Sequence, residues 1–335
     1  MNKTVVVAFG GNALLQAGQK GTAREQWDNV SRTCKALIPL IKQGHNIVIG
    51  HGNGPQVGNE LLRQSAGKER YELPEMPMDF CVAETQGSIG YMIEIALTNE
   101  LRAAGINRSV ITLLSPVIVN ASDSAFQNPT KPVGPYYTSK QIREIMAFRG
   151  ASLNQKTKES CEISEGIVSV LTGETYMIDA KGNGWRKVVA SPAPQDVMHS
   201  ALIKEQAEKG TIVTAVGGGG IPVVIKEGIY KPVEAVIDKD LASALLGSKT
   251  GANELYILTD VPQAYINFRQ PNEKALDKIT AEEAKKYLTD GHFKEGSMAP
   301  KIRAAIKFVE NGGEKSVITT ADRLSDSNAG TKIIA

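Results

Sequence analysis

Short apolar runs rich in β-branched residues recur along the chain, and helical patterns lie in several of the gaps between them. The first run, TVVVAF, spans residues 4–9 and ends at a pair of glycines. Between residues 27 and 41, apolar side chains recur every three or four positions, which is typical of a helix with one buried face. Similar runs follow in chain order: NIVIG, RSVITLL, GTIVTAV, ELYILTD and KSVITT. Strands that alternate with helices predict an α/β fold with a largely parallel sheet covered on both faces.

Two regions depart from this alternation. Residues 120–194 carry repeated prolines and short alternating segments, which predict hairpins outside the main sheet. Residues 222–238, PVVIKEGIYKPVEAVID, predict a β-hairpin directly after the four glycines at 217–220.

Charge and hydropathy exclude several classes of partner. The 38 basic residues nearly balance the 36 acidic ones, so no general field attracts nucleic acid or an anionic membrane. No apolar run approaches ~18 residues, and the N-terminus reaches glycine too soon for a signal peptide. Cys34, Cys81 and Cys161 are scattered, which suits a reducing compartment and offers no CxxC metal site. The sequence therefore predicts a soluble cytoplasmic protein that binds neither nucleic acid nor membrane.

Glycine-rich loops follow three of the predicted strands, in AFGGNAL, IGHGNGPQVG and AVGGGGIPV. A single glycine pair is most often a tight turn. Three such loops at strand ends favour a ligand site, because open α/β sheets bind ligands there and glycine lets backbone N–H groups approach phosphate oxygens. Pro55 suits the first turn of a helix that would aim its N-terminus at the second loop. Neither a dinucleotide-binding fingerprint nor a P-loop is present in these loops.

Two lysines lie at the predicted starts of helices. Lys239 is in VIDKDLASALLG and Lys301 is in GSMAPKIRAAIKFVE. A cation at this end of a helix is disfavoured by ~0.3–1 kcal/mol unless an anion is nearby. Each lysine alone could be a solvated surface charge, and Asp238 and Asp240 could form ordinary surface pairs. Alternatively, Asp240 holds lysine side chains in position. Lys131, between two prolines, by itself indicates only a turn.

The ordered set of motifs resembles that of the carbamate kinase family, within the amino-acid kinase superfamily. The segments that carry the resemblance are VVVAFGGNAL, HGNGPQVGN, ETQGSIGY, NPTKPVGPYY, GWRKVVASP, GGGGIPVV, AVIDKDLASALL and HFKEGSMAPKIRAAIKFVE. The resemblance implies an open αβα sandwich around a mainly parallel eight-stranded sheet, a protruding subdomain and a homodimer. It also implies reversible phosphoryl transfer between carbamoyl phosphate and Mg·ADP, which gives Mg·ATP and carbamate.

The resemblance also implies how the chain is divided. Residues 1–335 would form a single amino-acid kinase domain. Its N-terminal lobe, residues 1–205, would bind carbamate or carbamoyl phosphate and include the protruding subdomain at residues 120–194. Its C-terminal lobe, residues 206–335, would bind ADP or ATP. Mg²⁺ would accompany the nucleotide, and no protein side chain is assigned as its ligand.

The matching motifs imply which residues form the site. The residues implied around the transferred phosphoryl group are Gly10, Gly11 and Asn12, and those around carbamate or carbamoyl phosphate are Gly52, Asn53 and Gly54. The implied catalytic residues are Lys131, Lys239 and Lys301, with Asp240 as their organiser. The implied nucleotide-binding residues are Gly217, Gly218, Asp260, Tyr265 and Met298.

Several positions depart from the family pattern. Many relatives place a lysine just before the first glycines, and VAFGG has none, so Lys131 is the expected substitute. Pro262 and Gln263 stand where many relatives read Asp-Gly, and Ala190 stands where proline is common. The stretch from residue 150 to 181 is longer than usual.

No general base is required, because carbamate is already an anionic nucleophile. His51 is therefore expected to shape its loop by hydrogen bonding. Two alternatives remain open at this point: an amino-acid kinase that acts on a larger carboxylate, and a nucleotide-binding regulator without catalytic activity.

Overall fold

The protein is described here by a computed structural model that covers residues 2–16, 18–149, 151–152, 167–170, 175–178 and 184–335. Within these ranges the helices are α1 (Ala23–Lys42), α2 (Gly54–Tyr71), α3 (Met78–Ala103), α4 (Ser139–Arg149), α5 (Ser200–Glu208), α6 (Lys239–Thr250), α7 (Ala281–Thr289) and α8 (Met298–Glu310). The strands are β1 (Thr4–Phe9), β2 (Asn46–His51), β3 (Val110–Thr112), β4 (Pro116–Val119), β5 (Lys131–Tyr137), β6 (Ala151–Ser152), β7 (Ile167–Val170), β8 (Thr175–Ile178), β9 (Trp185–Val189), β10 (Pro194–Val197), β11 (Ile212–Thr214), β12 (Ile221–Lys226), β13 (Ile229–Pro232), β14 (Glu254–Leu258), β15 (Ala264–Ile266), β16 (Lys274–Leu276), β17 (Lys278–Thr280), β18 (Lys315–Thr319) and β19 (Thr331–Ile334).

The main sheet has eight strands in the order β17-β19-β18-β14-β1-β2-β11-β3. Its neighbouring strands are parallel except for the antiparallel pair β18 and β19. The prediction of a mainly parallel eight-stranded sheet is therefore confirmed. The strands predicted at residues 108–114 and 210–216 are present but shorter, at Val110–Thr112 and Ile212–Thr214.

Side chains alternate between two apolar cores on the faces of β1. Val5, Val7 and Phe9 pack into a core that also contains residues of α1 and α3. Val6 points to the opposite face, into a core that contains residues of α6 and α8. Fully burying a valine or phenylalanine side chain stabilises a fold by about 1.5–3 kcal/mol. The two cores make the predicted αβα sandwich, with β1 at its centre.

The predicted hairpin after the four glycines is confirmed. Strands β12 and β13 pair antiparallel, with Ile225 opposite Tyr230. Between the strands, Glu227 and Gly228 both have positive φ, at 55° and 77°, which suits a tight two-residue hairpin turn. On its other edge β12 pairs with β4 in a four-stranded sheet of order β10-β4-β12-β13.

A separate antiparallel sheet forms within the segment predicted to lie outside the main sheet. Its order is β5-β9-β8-β7-β6, and helix α4, which the sequence did not predict, accompanies it. We refer to the described residues of 131–189 as the subdomain. Most of the stretch from 150 to 181, including Cys161, lies outside the described residues. The boundary between lobes at residues 205 and 206 remains a prediction.

The subdomain contacts the main body where β5 crosses α2. A Cβ placed on Gly58 of α2 would lie 1.9 Å from the Cα of Gly134 in β5. Gly134 also has a positive φ of 71°, which favours glycine. The two backbones can approach this closely because Gly58 has no side chain, whereas a Cβ on Gly134 would lie an ordinary 3.5 Å from the Cα of Gly58. Since Lys131 begins β5, this contact also fixes the strand that carries it.

Within the described ranges, no helix is both long and apolar enough to cross a membrane.

Candidate active site

An open cleft of about 210 Å³ lies beside the carboxyl ends of β1 and β2. Each of the three predicted glycine loops contributes to its lining. The lining residues from these loops include Gly11, Gly52, Asn53, Gly54 and Gly218. Three lysines, Lys131, Lys239 and Lys301, also line it. The structure therefore brings together residues that the sequence places more than two hundred positions apart.

Asp240 links two of these lysines. Its Oδ1 accepts a hydrogen bond from Lys239, and its Oδ2 lies 3.1 Å from the Nζ of Lys301. Lys239 is the first residue of α6, while Lys301 lies in the first turns of α8. All three side chains are largely buried, with Asp240 only 3% exposed. One carboxylate therefore holds two ammonium groups that come from different helices.

Burial and the charges of neighbouring side chains both shift the pKa values of these three groups. Burial tends to raise the pKa of Asp240, but the charges of Lys239 and Lys301 outweigh it and hold this pKa below its usual range. Burial lowers the pKa of Lys239, which Lys301 lowers further and Asp240 only partly restores. For Lys301, Asp240 and Asp238 outweigh burial and raise the pKa. Burial is thus the main cause of the lowered pKa of Lys239, and the negative charge of a bound phosphate group would oppose it.

Lys131 is paired with Asp238. Its Nζ lies 2.6 Å from Asp238 Oδ2, while Asp238 Oδ1 accepts hydrogen bonds from the backbone N–H groups of Asp240 and Leu241. Asp238 is thus the N-cap of α6. Burial tends to raise the pKa of Asp238, but Lys131 and Lys239 outweigh it and hold the pKa below its usual range. From the sequence, Asp238 could have been an ordinary surface pair, although an aspartate directly before a helix is itself an N-cap signal.

Most glycines of the loops are required by the close packing of neighbouring protein atoms. A Cβ on Gly218 would lie 2.3 Å from Asn53 Nδ2, and one on Gly52 would lie 3.0 Å from Lys239 Cδ. A Cβ on Gly10 would lie 2.3 Å from the carbonyl oxygen of Leu258. By contrast, a Cβ on Gly11 would meet nothing within 4 Å. The loops therefore leave open space at Gly11 and are tightly packed behind it.

The four-glycine run is shaped by both its backbone and its neighbours. Gly218, Gly219 and Gly220 all have positive φ, between 65° and 97°, a region that favours glycine. Gly217 packs against the imidazole ring of His51, where a Cβ would lie 2.4 Å from Nε2. The run is buried, and it reaches the cleft through Gly218.

His51 is fully buried at the end of β2. Its Nδ1 lies 2.9 Å from the carbonyl oxygen of Gly52, so this nitrogen donates the hydrogen bond. Burial lowers the pKa of His51 to about 4. A histidine that stays neutral and bonds the adjacent loop fits the expected role in shaping that loop.

Three other predicted nucleotide-side residues, Asp260, Tyr265 and Met298, lie outside the described lining of the lysine cleft. Asp260 is exposed after β14, and its charge raises the pKa of Lys301. Tyr265 packs on Phe268 with ring centroids 5.7 Å apart, and Met298 packs against the core at the start of α8. In the described part of the chain, these three residues do not line the lysine cleft. Asn12 lies in the turn Gly11–Ala13, but its side chain falls outside the described part of the structure.

The acidic residues of the cleft do not form a metal cage. Among the residues that the structure describes, no group of three histidine, cysteine or acidic side chains could hold a metal ion. Both carboxylate oxygens of Asp240 are already paired with lysines. Mg²⁺ commonly uses few protein carboxylates and is held by substrate phosphates and water. This donor set therefore fits a magnesium ion that is carried by the nucleotide.

Comparisons with known proteins find relatives that match almost the whole chain. The amino acid kinase family model matches residues 3–320. The carbamate kinase of Thermococcus kodakarensis is 46% identical over 99% of this chain and 99% of that protein. The carbamate kinase of Pyrococcus furiosus is 42% identical over 100% of both. A solved structure of carbamate kinase from Giardia lamblia bound to AMP-PNP is 38% identical, with a TM-score of 0.84, over 99% of this chain and 98% of that one. These matches span the chain from end to end, and it belongs to the amino acid kinase family, among the carbamate kinases.

Proposed function

We propose that this protein catalyses reversible phosphoryl transfer between carbamoyl phosphate and ADP, giving ATP and carbamate. The observation that carries the proposal is the convergence of Lys131, Lys239 and Lys301 on one cleft bordered by glycine loops. Two buried carboxylates, Asp238 and Asp240, hold these lysines in place. Full-length likeness to carbamate kinases supports the same reaction.

The chemistry suits what the cleft contains. Phosphoryl transfer depends on positioning and on positive charge spread around the moving group, and it needs little covalent participation from the protein. Lys239 and Lys301 would bind the nucleotide phosphates and the phosphoryl group, while Lys131 would reach that group from the subdomain. Backbone amides of the loops at Gly11 and at residues 52–54 would orient the phosphoryl group and carbamate. Carbamate carries its own negative charge, so the reaction needs no general base.

Magnesium would enter this site on the nucleotide. When bound, it would neutralise charge on the ADP or ATP phosphate oxygens. Asp240 would not serve as its ligand, because that carboxylate already pairs with two lysines. A cytoplasmic location remains a prediction from the sequence.

We also propose that the protein is a homodimer. One face of α3 supports an interface, because Phe80, Tyr91 and Ile95 recur there at helical spacing and all three side chains are exposed. Measuring the molar mass in solution would test this proposal, and a monomer at micromolar concentration would contradict it.

The nucleotide part of the proposal can be tested by ligand stabilisation. Mg·ADP at a hundredfold excess over its dissociation constant should stabilise the folded protein by about 2.7 kcal/mol, whereas NAD should leave the melting temperature unchanged. A shift with NAD and none with ADP would contradict a kinase site.

The acceptor can be tested with a panel of substrates. ADP should be phosphorylated by carbamoyl phosphate far faster than by acetyl phosphate. ATP should not be consumed with glutamate, N-acetylglutamate or aspartate as acceptor. Faster turnover with one of these larger carboxylates would favour another amino-acid kinase. Binding of ADP without turnover of any phosphoryl donor and acceptor pair would favour a regulatory protein.

A further inference from the structure

We infer that Asp238 is a positioning residue that holds the Lys131 ammonium at the cleft and so couples the subdomain to the helix that carries Lys239. This inference rests on the proposed function, and it concerns a residue for which the motif resemblance implies no role. Asp238 would not touch the substrate, and it would act through Lys131.

The two carboxylate oxygens of Asp238 serve different parts of the protein. Oδ1 caps α6, with the N–H groups of Asp240 and Leu241 at 2.9 and 3.3 Å. Oδ2 accepts from Lys131 Nζ at 2.6 Å, across 107 positions of sequence. A helix cap requires one oxygen, which serine or asparagine supplies equally well. The second oxygen and the negative charge are therefore available for the lysine.

Capping makes Asp238 a rigid partner. Because α6 fixes one oxygen, the other is held at a defined place beside the cleft. The carboxylate side chain is 13% exposed, whereas that of Lys131 is 32% exposed. A lysine has four rotatable bonds and loses rotamer freedom when it is ordered. A lysine that is already ordered before substrate binds does not incur that loss during the reaction.

The subdomain reaches the start of α6 through the Lys131–Asp238 ion pair, while its strand β5 rests on α2. Lys131 is the first residue of β5, and Gly134, three positions later, contacts Gly58 of α2. The backbone contact sets the position of the strand, and the Asp238 pair sets the direction of the side chain. Together they place a cation from the subdomain in the same cleft as Lys239.

The charges of the cleft allow the positioning of Lys131 by Asp238 to be distinguished from a general electrostatic effect of Asp238 on the binding of ADP. Lys131, Lys239 and Lys301 face Asp238 and Asp240, so the cluster carries one excess positive charge. Replacing Asp238 by a neutral residue would increase that excess and should not weaken the attraction for ADP. If Asp238 positions Lys131, the same replacement should nevertheless slow turnover. The expected result is a lower kcat without a higher KM for ADP.

The test uses ATP formation from carbamoyl phosphate and Mg·ADP with four variants. Asp238→Asn keeps an oxygen to cap α6 but removes the charge that holds Lys131. It is compared with Lys131→Ala and with the double variant. Asp123→Asn is the matched control, because Asp123 is the N-cap of the short helical turn Ser124–Phe126. Its oxygens accept the backbone N–H groups of Ala125 and Ala193 at 2.9 Å.

Asp238→Asn is expected to lower kcat by about 10- to 100-fold, the range for losing a hydrogen bond to a charged group. It should leave KM for ADP within about threefold. In the Lys131→Ala background it should have little further effect, because residues that act through one interaction are not additive. Asp123→Asn should keep kcat close to that of the wild type.

Three outcomes would overturn the inference: a kcat for Asp238→Asn equal to or above that of the wild type, effects that multiply in the double variant, or a loss confined to KM for ADP. Asp238→Ser, which keeps a capping oxygen but cannot reach Lys131, repeats the test if Asp238→Asn does not fold. If neither variant folds while Lys131→Ala does, Asp238 is structural and the inference is wrong. Absence of ATP formation by the wild type would instead contradict the proposed function.

Discussion

Gly58 and Gly134 meet backbone to backbone, so that a Cβ on Gly58 would lie 1.9 Å from the Cα of Gly134. This contact joins α2, which begins at Gly54 beside the cleft, to β5, which begins at Lys131. The position of the subdomain relative to the cleft therefore depends on the missing side chain of Gly58 and on the positive φ of Gly134.

Gly58→Ala should displace β5 from α2 and slow ATP formation at least tenfold, because an ångström-scale misplacement of a catalytic group can cost about a hundredfold. ADP binding, measured by calorimetry, should change little, since Lys239 and Lys301 lie elsewhere. Gly67→Ala is the control in the same helix, because its Cβ would make only ordinary contacts, the nearest at 3.6 Å. That control should stabilise the protein by up to about 1 kcal/mol. Wild-type turnover of Gly58→Ala would show that the contact does not position Lys131.

Lys131→Ala should lower turnover by roughly 10²–10³, the scale for losing one preorganised group that stabilises charge. ADP affinity should be nearly unchanged. Because the structure pairs Lys131 with a buried carboxylate, we also expect the free energy of unfolding to fall by about 1 kcal/mol. Steady-state kinetics and chemical denaturation measure the two effects. Loss of ADP binding would instead assign Lys131 to the nucleotide.

Asp240→Asn should destabilise the protein by about 3 kcal/mol, because it leaves Lys239 and Lys301 buried without their carboxylate. Turnover should also fall, since both ammonium groups lose their fixed positions. Denaturation in urea measures the stability change, and Mg·ADP should recover part of it by supplying negative charge.

A surface aspartate provides the comparison for Asp240. Asp196 pairs with Lys249 at 2.9 Å, and both of these side chains are more than 40% exposed. Asp196→Asn should therefore change the free energy of unfolding by less than about 1 kcal/mol. Equal effects of the two substitutions would mean that the buried pairs at Asp240 are not important for stability.

His51 should make the protein less stable as the pH falls from 6.5 towards 4. Its pKa is about 4 in the folded protein and 6.5 in its ordinary state, so between these values the unfolded chain binds a proton that the folded one does not. The group's contribution is present above pH 6.5 and is lost as the pH falls, by about 3 kcal/mol in all.

His51→Asn should reduce this dependence of unfolding free energy on pH, whatever its effect at pH 7. His199→Asn is the control, because His199 is exposed and has a positive φ that asparagine tolerates. Denaturation curves between pH 7 and 5 measure the slopes. Equal slopes for the wild type and His51→Asn would show that the histidine is not held neutral by burial.

The sheet was predictable because its strands carry local signals. TVVVAF and NIVIG are short runs with buried side chains on both faces, and TVVVAF is followed by a helix of clear period, α1. The hairpin at β12 and β13 was predictable from its Glu-Gly turn. Helix α4 was missed because it lies within a proline-rich segment in which hairpin signals dominate. The pairing of β4 with β12 joins distant segments, and no local pattern encodes it.

For the site, the sequence and its resemblance predicted the three lysines and the role of Asp240 as their organiser, but not the pairing of Lys131 with Asp238. A run of alternating charges such as Asp-Lys-Asp is usually a solvated surface, and nothing in it shows that Asp238 faces a lysine 107 positions away. The glycines were expected to make room for phosphate, whereas at Gly10, Gly217 and Gly218 the structure shows that they make room for neighbouring protein atoms. Such contacts depend on the folded arrangement of loops.

The most direct test of this account is the initial rate of ATP formation when purified protein is mixed with carbamoyl phosphate and Mg·ADP. The predicted result is ATP production that is proportional to protein concentration and well above the rate in a sample without protein. Wild-type protein that is folded and binds Mg·ADP but forms no ATP above that background would contradict the account.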